Sequence, residues 1–297
     1  MAEIAHVPMA GNALVSVRQV RQRNPFQRFL RNRAAAFGAA IVLVMIAVAL
    51  AAPLIAPDDP LHQDLIASLR GPSRTHWFGT DNLGRDVLSR VMYGGRITIP
   101  IALAGVLIAL VIGVPLGLLS GFYTGIVDTV IMRLTDILLA FPSLLLAIAI
   151  TGALGVSLST ISIAIAVFSI PVYVRLMRAE VLRLRDREYV TAARCIGAPD
   201  RTILFKHILP NGVSAIIIQS TLNAAIAIVT VSALSFIGLG AQPPTAEWGV
   251  MLADGRGYMQ FAPGVTAFPG IAIFLVVLGF NLFGDGLRDA YDPRSRR

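Results

Sequence analysis

The sequence predicts an all-α integral membrane protein that crosses the bilayer six times. Of its 297 residues, 56% are hydrophobic and only 14% are charged, whereas a soluble domain carries roughly 25% charged residues. So few charges do not cover a water-exposed surface, but a surface that faces lipid needs none. Six segments are long and apolar enough to cross the hydrocarbon core, which takes about 20 residues per helix.

The predicted spans follow one another along almost the whole chain. The first is too long, and lies too far from the start, to be a cleaved signal peptide. Gly113 and Pro115 interrupt the second. The uncharged stretch 137–174 exceeds one span and has a glycine-containing turn at its centre, so it is divided between two helices. The six spans are Ala34–Ile55, Thr98–Leu119, Val130–Ile150, Leu158–Val174, Val213–Ile237 and Val265–Phe283.

The distribution of basic residues predicts the orientation. With six spans, both termini and the second and fourth connections share one side, and these segments hold 18 Lys and Arg residues against 6 in the other three connections. By the positive-inside rule both termini are therefore cytoplasmic. Topology also explains the net charge of +8, which does not require a nucleic-acid partner. The chain divides into a cytoplasmic segment 1–33, a six-helix transmembrane domain 34–285 and a cytoplasmic tail 286–297.

The connection between the fourth and fifth spans, residues 175–211, carries the most information about function. It opens with the spacing of a helix that has one charged face. A short helical stretch, Glu188–Gly197, follows and ends in a glycine suited to a left-handed cap. Pro199 is placed to begin a new helix, which Leu209-Pro210 ends at the membrane. The pattern predicts two short helices with a sharp elbow that can press into a groove on another protein. A basic loop that only fixes topology is the open alternative.

These residues resemble a known family. Thr191-Ala-Ala-x-x-x-Gly197 followed by Leu209-Pro210 resembles the coupling loop of ATP-binding-cassette (ABC) importer permeases, whose short helix docks onto the ATPase subunit. The sequence departs from the family pattern at Thr191, where the pattern has Glu, and at His207, where it has Ile. The resemblance implies an ATPase-coupling role for Thr191, Ala192, Ala193, Gly197, Asp200, Leu209 and Pro210.

Further blocks narrow the resemblance to the dipeptide and oligopeptide permease group. The blocks 76–90, 238–249 and 280–293 resemble its signatures in order, and the similarity extends from about residue 26 to 293. It implies the transmembrane domain of a type I ABC importer, and specifically the second ("C") permease subunit. Glutathione and nickel importers share these motifs, so the cargo stays open among dipeptides, oligopeptides, glutathione and nickel.

The resemblance also implies the partners. They are a homologous permease subunit, two cytoplasmic ATP-binding subunits and an extracytoplasmic solute-binding protein, in a bacterial plasma (inner) membrane. The solute path would lie between the two permeases, lined by helices two to five. No cofactor is expected in this chain, because ATP and Mg²⁺ would be bound by the partner subunits.

Charged residues near the start of the third span form a second candidate site. Arg133 and Asp136 are three residues apart and so can face each other across one helical turn. Charged groups within a membrane span are a functional hypothesis, here a polar latch between helices. The nearby cytoplasmic end, which a long arginine side chain can reach, favours a purely structural pair instead. Pro142 should bend this helix, because it removes a backbone hydrogen bond.

The segments on the outer side suggest structured loops. The block 76–90 contains Asp81 and an Arg85-Asp86 pair, which we assign to local folding, with contact to the binding protein or the second permease as the alternative. In the loop 238–264, Trp248 is an aromatic side chain suited to the membrane interface. The tail after the sixth span is a solvated end or an ATPase contact.

The sequence argues against an enzyme. The single lysine, Lys206, is followed by histidine, so no phosphate-binding P-loop of the Gly-Lys-Ser/Thr type exists. No His–Ser pair, metal-binding set or pair of aspartates lies at mid-depth in the predicted spans. An ion-coupled secondary transporter is the alternative from another class, but the middle of five spans lacks the ionisable groups that ion coupling uses.

Overall fold

The computed structural model of the protein describes residues 32–291, all of whose long elements are helices. The predicted cytoplasmic segment up to residue 31 and the tail from residue 292 lie outside the described residues. We label the helices α1 Arg33–Ile55, α2 Val87–Tyr123, α3 Gly125–Leu139, α4 Ser143–Leu154, α5 Leu158–Leu184, α6 Glu188–Cys195, α7 Asp200–Thr202, α8 Leu209–Phe236, α9 Trp248–Gly255 and α10 Gly264–Tyr291. A π-helical segment, Ile203–Ile208, joins α7 to α8, and 3₁₀ turns occupy Leu65–Ala67 and Arg256–Tyr258.

The prediction of six spans is confirmed, with one span broken. Within residues 32–291, five helical stretches are long and apolar enough to cross a membrane, and the pair α3 and α4 makes a sixth if it counts as one span. This pair is bent by 89°. The predicted span Val130–Ile150 is therefore not one continuous helix but is divided between α3 and α4.

Pro142 explains the break between α3 and α4. It adopts an extended conformation (φ −55°, ψ 131°) and caps α4. A proline also disfavours the helical conformation of the residue before it, here Phe141, so α3 ends two residues earlier. The prediction that Pro142 bends this segment is confirmed.

Several helices extend beyond their predicted bounds. α2 runs for 37 residues and continues through Gly113 and Pro115, which we expected to interrupt it. α5 continues ten residues past the predicted Val174, to Leu184. These extensions carry charged residues, so hydropathy located the apolar part of each helix and missed its ends.

The fifth span also begins earlier than predicted. A continuous helical stretch runs from Asp200 to Phe236, and Leu209-Pro210 does not end it. The π-helical segment lies directly before this pair, and the Leu209 N–H donates to the Leu204 carbonyl, five residues back. This wider turn accommodates Pro210, which has no N–H to donate.

Close packing of α2 against α5 forms the centre of the bundle. Three glycines of α2, spaced by four residues, face α5. A Cβ atom on Gly113 would lie 2.7 Å from Tyr173 Cβ, one on Gly117 2.5 Å from the Val174 carbonyl oxygen, and one on Gly121 2.7 Å from Val181 Cβ. Small residues let helix backbones approach in this way within membranes. Any larger side chain would push α2 and α5 apart.

Both ends of the described chain lie at the same end of the bundle. Asn32 caps α1, and its Nδ2 donates to Asp289 Oδ2 near the end of α10, at 3.2 Å. With six spans, the connection between α5 and α8 lies at this end too. We call it the elbow end, and the other the opposite end.

At the opposite end, the block 76–90 is held by buried charges. Asp81 Oδ2 accepts from Arg85 Nε at 2.6 Å, and both side chains are almost fully buried. Asp86 caps α2 by accepting from the Ser89 N–H at 2.8 Å. The second buried arginine, Arg90, lies 3.4 Å from Asp81 and donates to the Pro60 carbonyl. These buried contacts hold the block to the residues around it, and its contact with the binding protein or the second permease stays a prediction.

A second buried anchor fixes the loop before α10. Trp248 is 1% exposed, and its Nε1 donates to the Val91 carbonyl at 2.9 Å. The prediction that Trp248 lies at the membrane interface is wrong, because Gly94 and Gly95 of α2 leave room for the ring inside the fold. Beside it, Glu247 is 0% exposed and accepts from Thr98 Oγ1 at 2.9 Å and from the Val250 N–H at 3.0 Å.

The glycine contacts lead to a first prediction. Gly117→Ala should lower the melting temperature of the detergent-solubilised protein by about 2–10 °C, because overpacking a tight contact costs about 1–3 kcal/mol. Gly152→Ala is the matched control: Gly152 lies in α4 with open space around it, and alanine favours a helix over glycine. Equal melting temperatures for the two variants would contradict the tight α2–α5 contact.

Glu247 leads to a prediction about pH. Burial raises the pKa of its carboxyl above the ordinary value, so the folded protein favours the protonated form. An unfolded glutamate has a pKa of about 4.3. The stability that the folded protein gains from holding Glu247 protonated is therefore full below that pH, and it is lost as the pH rises through the raised pKa of the folded state. When the pH is raised from about 5 to about 8, the melting temperature of Glu247→Gln should therefore fall less than that of the wild type.

The exposed carboxyl of Glu188 provides the control for this experiment. Glu188→Gln should retain the wild-type dependence on pH. If Glu247→Gln followed the wild-type curve as well, Glu247 would not be the group responsible.

Candidate functional site

The elbow segment, residues 185–200, is a short rigid connection between two span-length helices. α5 ends where the Arg185 N–H donates to the Val181 carbonyl at 2.8 Å. A tight turn follows, in which the Arg187 N–H donates to the Leu184 carbonyl at 3.1 Å. α6 begins at the next residue and has eight residues. The predicted short helix Glu188–Gly197 thus forms, with its last helical residue at Cys195.

Gly197 ends α6 in a Schellman motif. Its φ is +79°, its N–H donates to the Arg194 carbonyl at 2.9 Å, and the Ala198 N–H donates to the Ala193 carbonyl at 3.0 Å. A left-handed conformation costs an ordinary L-residue about 1–2 kcal/mol, which explains a glycine here. A Cβ on Gly197 would meet nothing within 4 Å, so the requirement is conformational and not one of space.

One face of α6 is anchored in the core. Val190 and Ala193 are buried and belong to the same apolar cluster as Ile203, Leu204 and Ile208 of the π-helical segment. The elbow therefore packs against the start of the fifth span and does not extend freely into solvent.

The other face of α6 is exposed and partly apolar. Ile196 is 85% exposed, and Tyr189 and Ala192 are also exposed. Phe205 of the π-helical segment adds a further exposed aromatic ring. A solvated loop gains nothing from such side chains, whereas a docking surface uses them.

The predicted coupling residues occupy several parts of the elbow end. Thr191 is exposed, and its Oγ1 donates to the Arg187 carbonyl at 3.3 Å, so its hydroxyl bonds within its own helix. Ala192 lies on the exposed face and Ala193 on the buried one. Asp200 is exposed in the first turn of α7, where a negative charge suits the helix dipole. Leu209 and Pro210 begin α8, beyond the elbow segment.

Two contacts join the elbow to the end of α2. Arg185 Nη1 donates to the Gly121 carbonyl at 3.4 Å, and the Arg194 guanidinium lies over the Phe122 ring, 5.4 Å from its centroid. Such a cation–π pair contributes about 0.5–1 kcal/mol when exposed. The sequence analysis missed these contacts, because they join residues more than sixty positions apart. The only feature of the sequence that indicates close packing here is the spacing of four residues between Gly113, Gly117 and Gly121 in α2.

Ion pairs attach α3 to α5 at the same end. Arg178 binds Asp128 through two hydrogen bonds, Nε to Oδ1 at 2.6 Å and Nη2 to Oδ2 at 2.7 Å. Ser120 Oγ of α2 also donates to Asp128 Oδ1 at 2.5 Å. Asp128 thereby links α2, α3 and α5. Two-pronged arginine–carboxylate pairs are among the stronger side-chain contacts.

The predicted pair of Arg133 with Asp136 is not formed. Asp136 Oδ1 accepts from Arg175 Nη2 of α5 at 2.6 Å. Among residues 32–291, the exposed Arg133 makes no ion pair. Asp136 faces α5, whose arginine reaches it across the helix interface, so a neighbour in space replaces the neighbour in sequence.

No group of three or more His, Cys, Asp or Glu side chains is placed to hold a metal ion within residues 32–291. Cys195, the only cysteine of the chain, is exposed on α6.

Two family models match the chain. A model described as "Binding-protein-dependent transport system inner membrane component" matches residues 113–297, and one described as "N-terminal TM domain of oligopeptide transport permease C" matches residues 23–72. The first alone covers more than half of the chain.

Three permease proteins are similar to this chain over nearly their whole length. The chain is 46% identical to the glutathione transport system permease protein GsiD of Pectobacterium atrosepticum, over 92% of this chain and 91% of the relative. It is 46% identical to the dipeptide transport system permease protein DppC of Alkalihalophilus pseudofirmus, over 92% and 90%. GsiD of Escherichia coli O157:H7 is 47% identical over 96% of both chains.

A solved structure shares the fold. A chain of the MetNI methionine ABC transporter in an inward-facing conformation aligns with a TM-score of 0.56, at 17% identity, over 68% of this chain and 96% of that chain. The fold is thus that of an ABC importer membrane domain, as the sequence predicts.

Proposed function

Because the chain belongs to the family of binding-protein-dependent transport system inner membrane components, we propose that it is the second permease subunit of an importer for peptide-like solutes. A homologous permease would complete the path, with two ATPase subunits on the cytoplasmic side and a binding protein outside. ATP is hydrolysed in those ATPase subunits, and this chain transmits their movement. Membership of this family favours ATP-driven import over ion-coupled transport.

The exposed apolar face of α6 is the observation that carries the proposal. Ile196, Tyr189 and Ala192 offer a hydrophobic contact, and the buried Val190 and Ala193 fix its direction. A groove on an ATPase subunit is a suitable partner, since such a contact removes the apolar side chains from water. The elbow end is then the cytoplasmic end, as the arginine distribution predicts.

The elbow would act as a lever on the bundle. It continues α5 through one tight turn, contacts the end of α2 and packs against the start of the fifth span. Closure of the ATPases on ATP would displace α6, and the tight α2–α5 contact would carry the displacement through the membrane. The two permeases would then rock between inward-facing and outward-facing states, with the path lined by helices two to five.

The proposed cargo is a peptide. The relatives named above are permeases for glutathione, which is a tripeptide, and for dipeptides. Peptides share an amide group, and the choice among them would rest largely with the binding protein.

Docking of the ATPase is tested by charging the exposed face of α6. Ile196→Asp should abolish copurification of the ATPase subunits with the permease pair, because a carboxylate would be desolvated in an apolar contact. Ile66→Asp is the control: Ile66 is also 85% exposed but lies in the 3₁₀ turn at the opposite end. Retention of the ATPases by Ile196→Asp would exclude α6 as the docking surface.

The shape of the elbow is tested at Gly197. Gly197→Val should lower ATP-driven uptake in proteoliposomes at least tenfold with little loss of ATP hydrolysis, because a β-branched residue strongly disfavours the left-handed conformation that aims α6. Gly197→Asn should retain more uptake, since asparagine tolerates this conformation better. Normal coupling in the valine variant would argue against a rigid lever.

A further inference from the structure

A buried polar cluster lies between α5 and α8, away from the elbow. Tyr173 of α5 donates its hydroxyl to Ser220 Oγ at 3.0 Å. Ser220 in turn donates to the Ile216 carbonyl at 2.8 Å. One turn along, Gln219 Nε2 donates to Asn223 Oδ1 at 3.2 Å.

This cluster lies in the middle of the membrane-spanning part of α8. Asn223 is at the centre of the 28-residue helix Leu209–Phe236, so about 20 Å of helix lies on either side of it. Polar side chains at this depth are costly and mark pathways or interhelical contacts. The family role of the elbow makes no use of them.

One amide of the cluster lacks a partner. Asn223 is 6% exposed, and its Nδ2 has no hydrogen-bond partner among residues 32–291. The Tyr173 hydroxyl, which donates to Ser220 Oγ, interacts with this amide without forming a well-aligned hydrogen bond and can accept at most one of its two N–H groups; Ser220 bonds to the Ile216 carbonyl. A buried amide N–H left unpaired costs about 1–3 kcal/mol, so its retention calls for an explanation.

The second amide lies at the edge of an exposed apolar face. Gln219 is half-buried, and its Oε1 accepts no hydrogen bond within the described part of the chain. Further along α8, the exposed side chains on this side are apolar, Ile226 and Val229 among them. An amide facing hydrocarbon is unfavourable, so the free Oε1 of Gln219 calls for a polar partner from outside this chain.

We propose that Gln219 and Asn223 form a binding site for a peptide group in the solute path. Gln219 Oε1 would accept the N–H of the cargo, and Asn223 Nδ2 would donate to its carbonyl oxygen. The two side chains are four residues apart and adjacent, and in an extended peptide the N–H and C=O of one residue point to the same side, towards such a pair. This inference rests on the proposed function, since it places a peptide in the path.

The site changes with the state of the transporter. In this conformation Asn223 is covered, so its Nδ2 becomes accessible only when α5 and α8 part; the bond from Gln219 to Asn223 Oδ1 lies within α8 and is not affected by that movement. A site that forms in one state and closes in the other binds and then releases its cargo, as alternating access demands. The movement transmitted from the elbow reaches both of these helices.

The test compares an amide with its ester in the complete assembly. Uptake of alanylalanine and of its ester analogue, in which oxygen replaces the linking N–H, is measured in proteoliposomes with the same binding protein. The ester lacks the N–H that Gln219 accepts. Gln219→Met keeps the size of the side chain and removes the acceptor, so the wild-type preference for the amide should fall roughly threefold to tenfold.

Two further variants test whether the effect belongs to the proposed site. Asn223→Leu should reduce the uptake of amide and ester alike, because both have the carbonyl oxygen. Thr230→Val is the control, since Thr230 lies seven residues along α8 on the same side and its Oγ1 bonds to the Ile226 carbonyl of its own helix. It should leave both uptake rates and their ratio unchanged.

The outcomes separate this inference from the proposed function. An unchanged amide-to-ester ratio in Gln219→Met, with uptake intact, would overturn the peptide site and leave the permease role standing. A wild-type assembly that couples ATP hydrolysis to the binding protein but takes up neither compound would instead overturn the proposed peptide cargo. Discrimination by the binding protein is common to all variants and cancels in the comparison.

Discussion

The tight contact between α2 and α5 is the constraint on which the rest of the structure depends. Gly113, Gly117 and Gly121 remove the side chains that would hold two helices apart, and the backbones then meet at van der Waals distance. Without a hydrophobic driving force between helices in lipid, this packing is the main source of association. It makes α2 and α5 one body, so a force applied at the end of α5 acts on both.

The attachment of α3 and α4 is of another kind. Thr135 is the only buried residue of α3, and this helix is held by Asp128 and Asp136 to two arginines of α5. The exposed Arg175–Asp136 pair is a weak surface contact, whereas the two-pronged Arg178–Asp128 pair holds the start of α3 more firmly. The bent pair exposes apolar side chains, Ile126 and Leu145 among them, and under the proposed function the second permease would cover this area. The opposite end, with its buried Arg85 and Glu247, is fixed within the chain.

Local chemistry and tertiary contacts were predictable to different degrees. Apolar runs of about 20 residues locate spans, and Gly197 and Pro142 act on their own neighbours, so the elbow and the break could be predicted. The bounds of α5 could not, because a helix that leaves the membrane keeps its hydrogen bonds while its side chains become charged. Asp136 was assigned to the wrong arginine, and Trp248 to the wrong environment. Each depends on which helix lies opposite, and a single sequence does not contain that.

The rigidity of the elbow distinguishes a lever from a loop that merely fixes topology. A topological loop needs basic residues and no fixed shape. Here three features restrict the shape: one tight turn from α5, a Schellman motif at Gly197 and a helix that runs without interruption from Asp200 into the fifth span. Val190 and Ala193 are buried at the same time, so α6 cannot rotate without disturbing the core. A segment so constrained transmits displacement in both directions. Under the proposed function, cargo bound at Gln219 and Asn223 would therefore displace the elbow and signal its arrival to a docked ATPase.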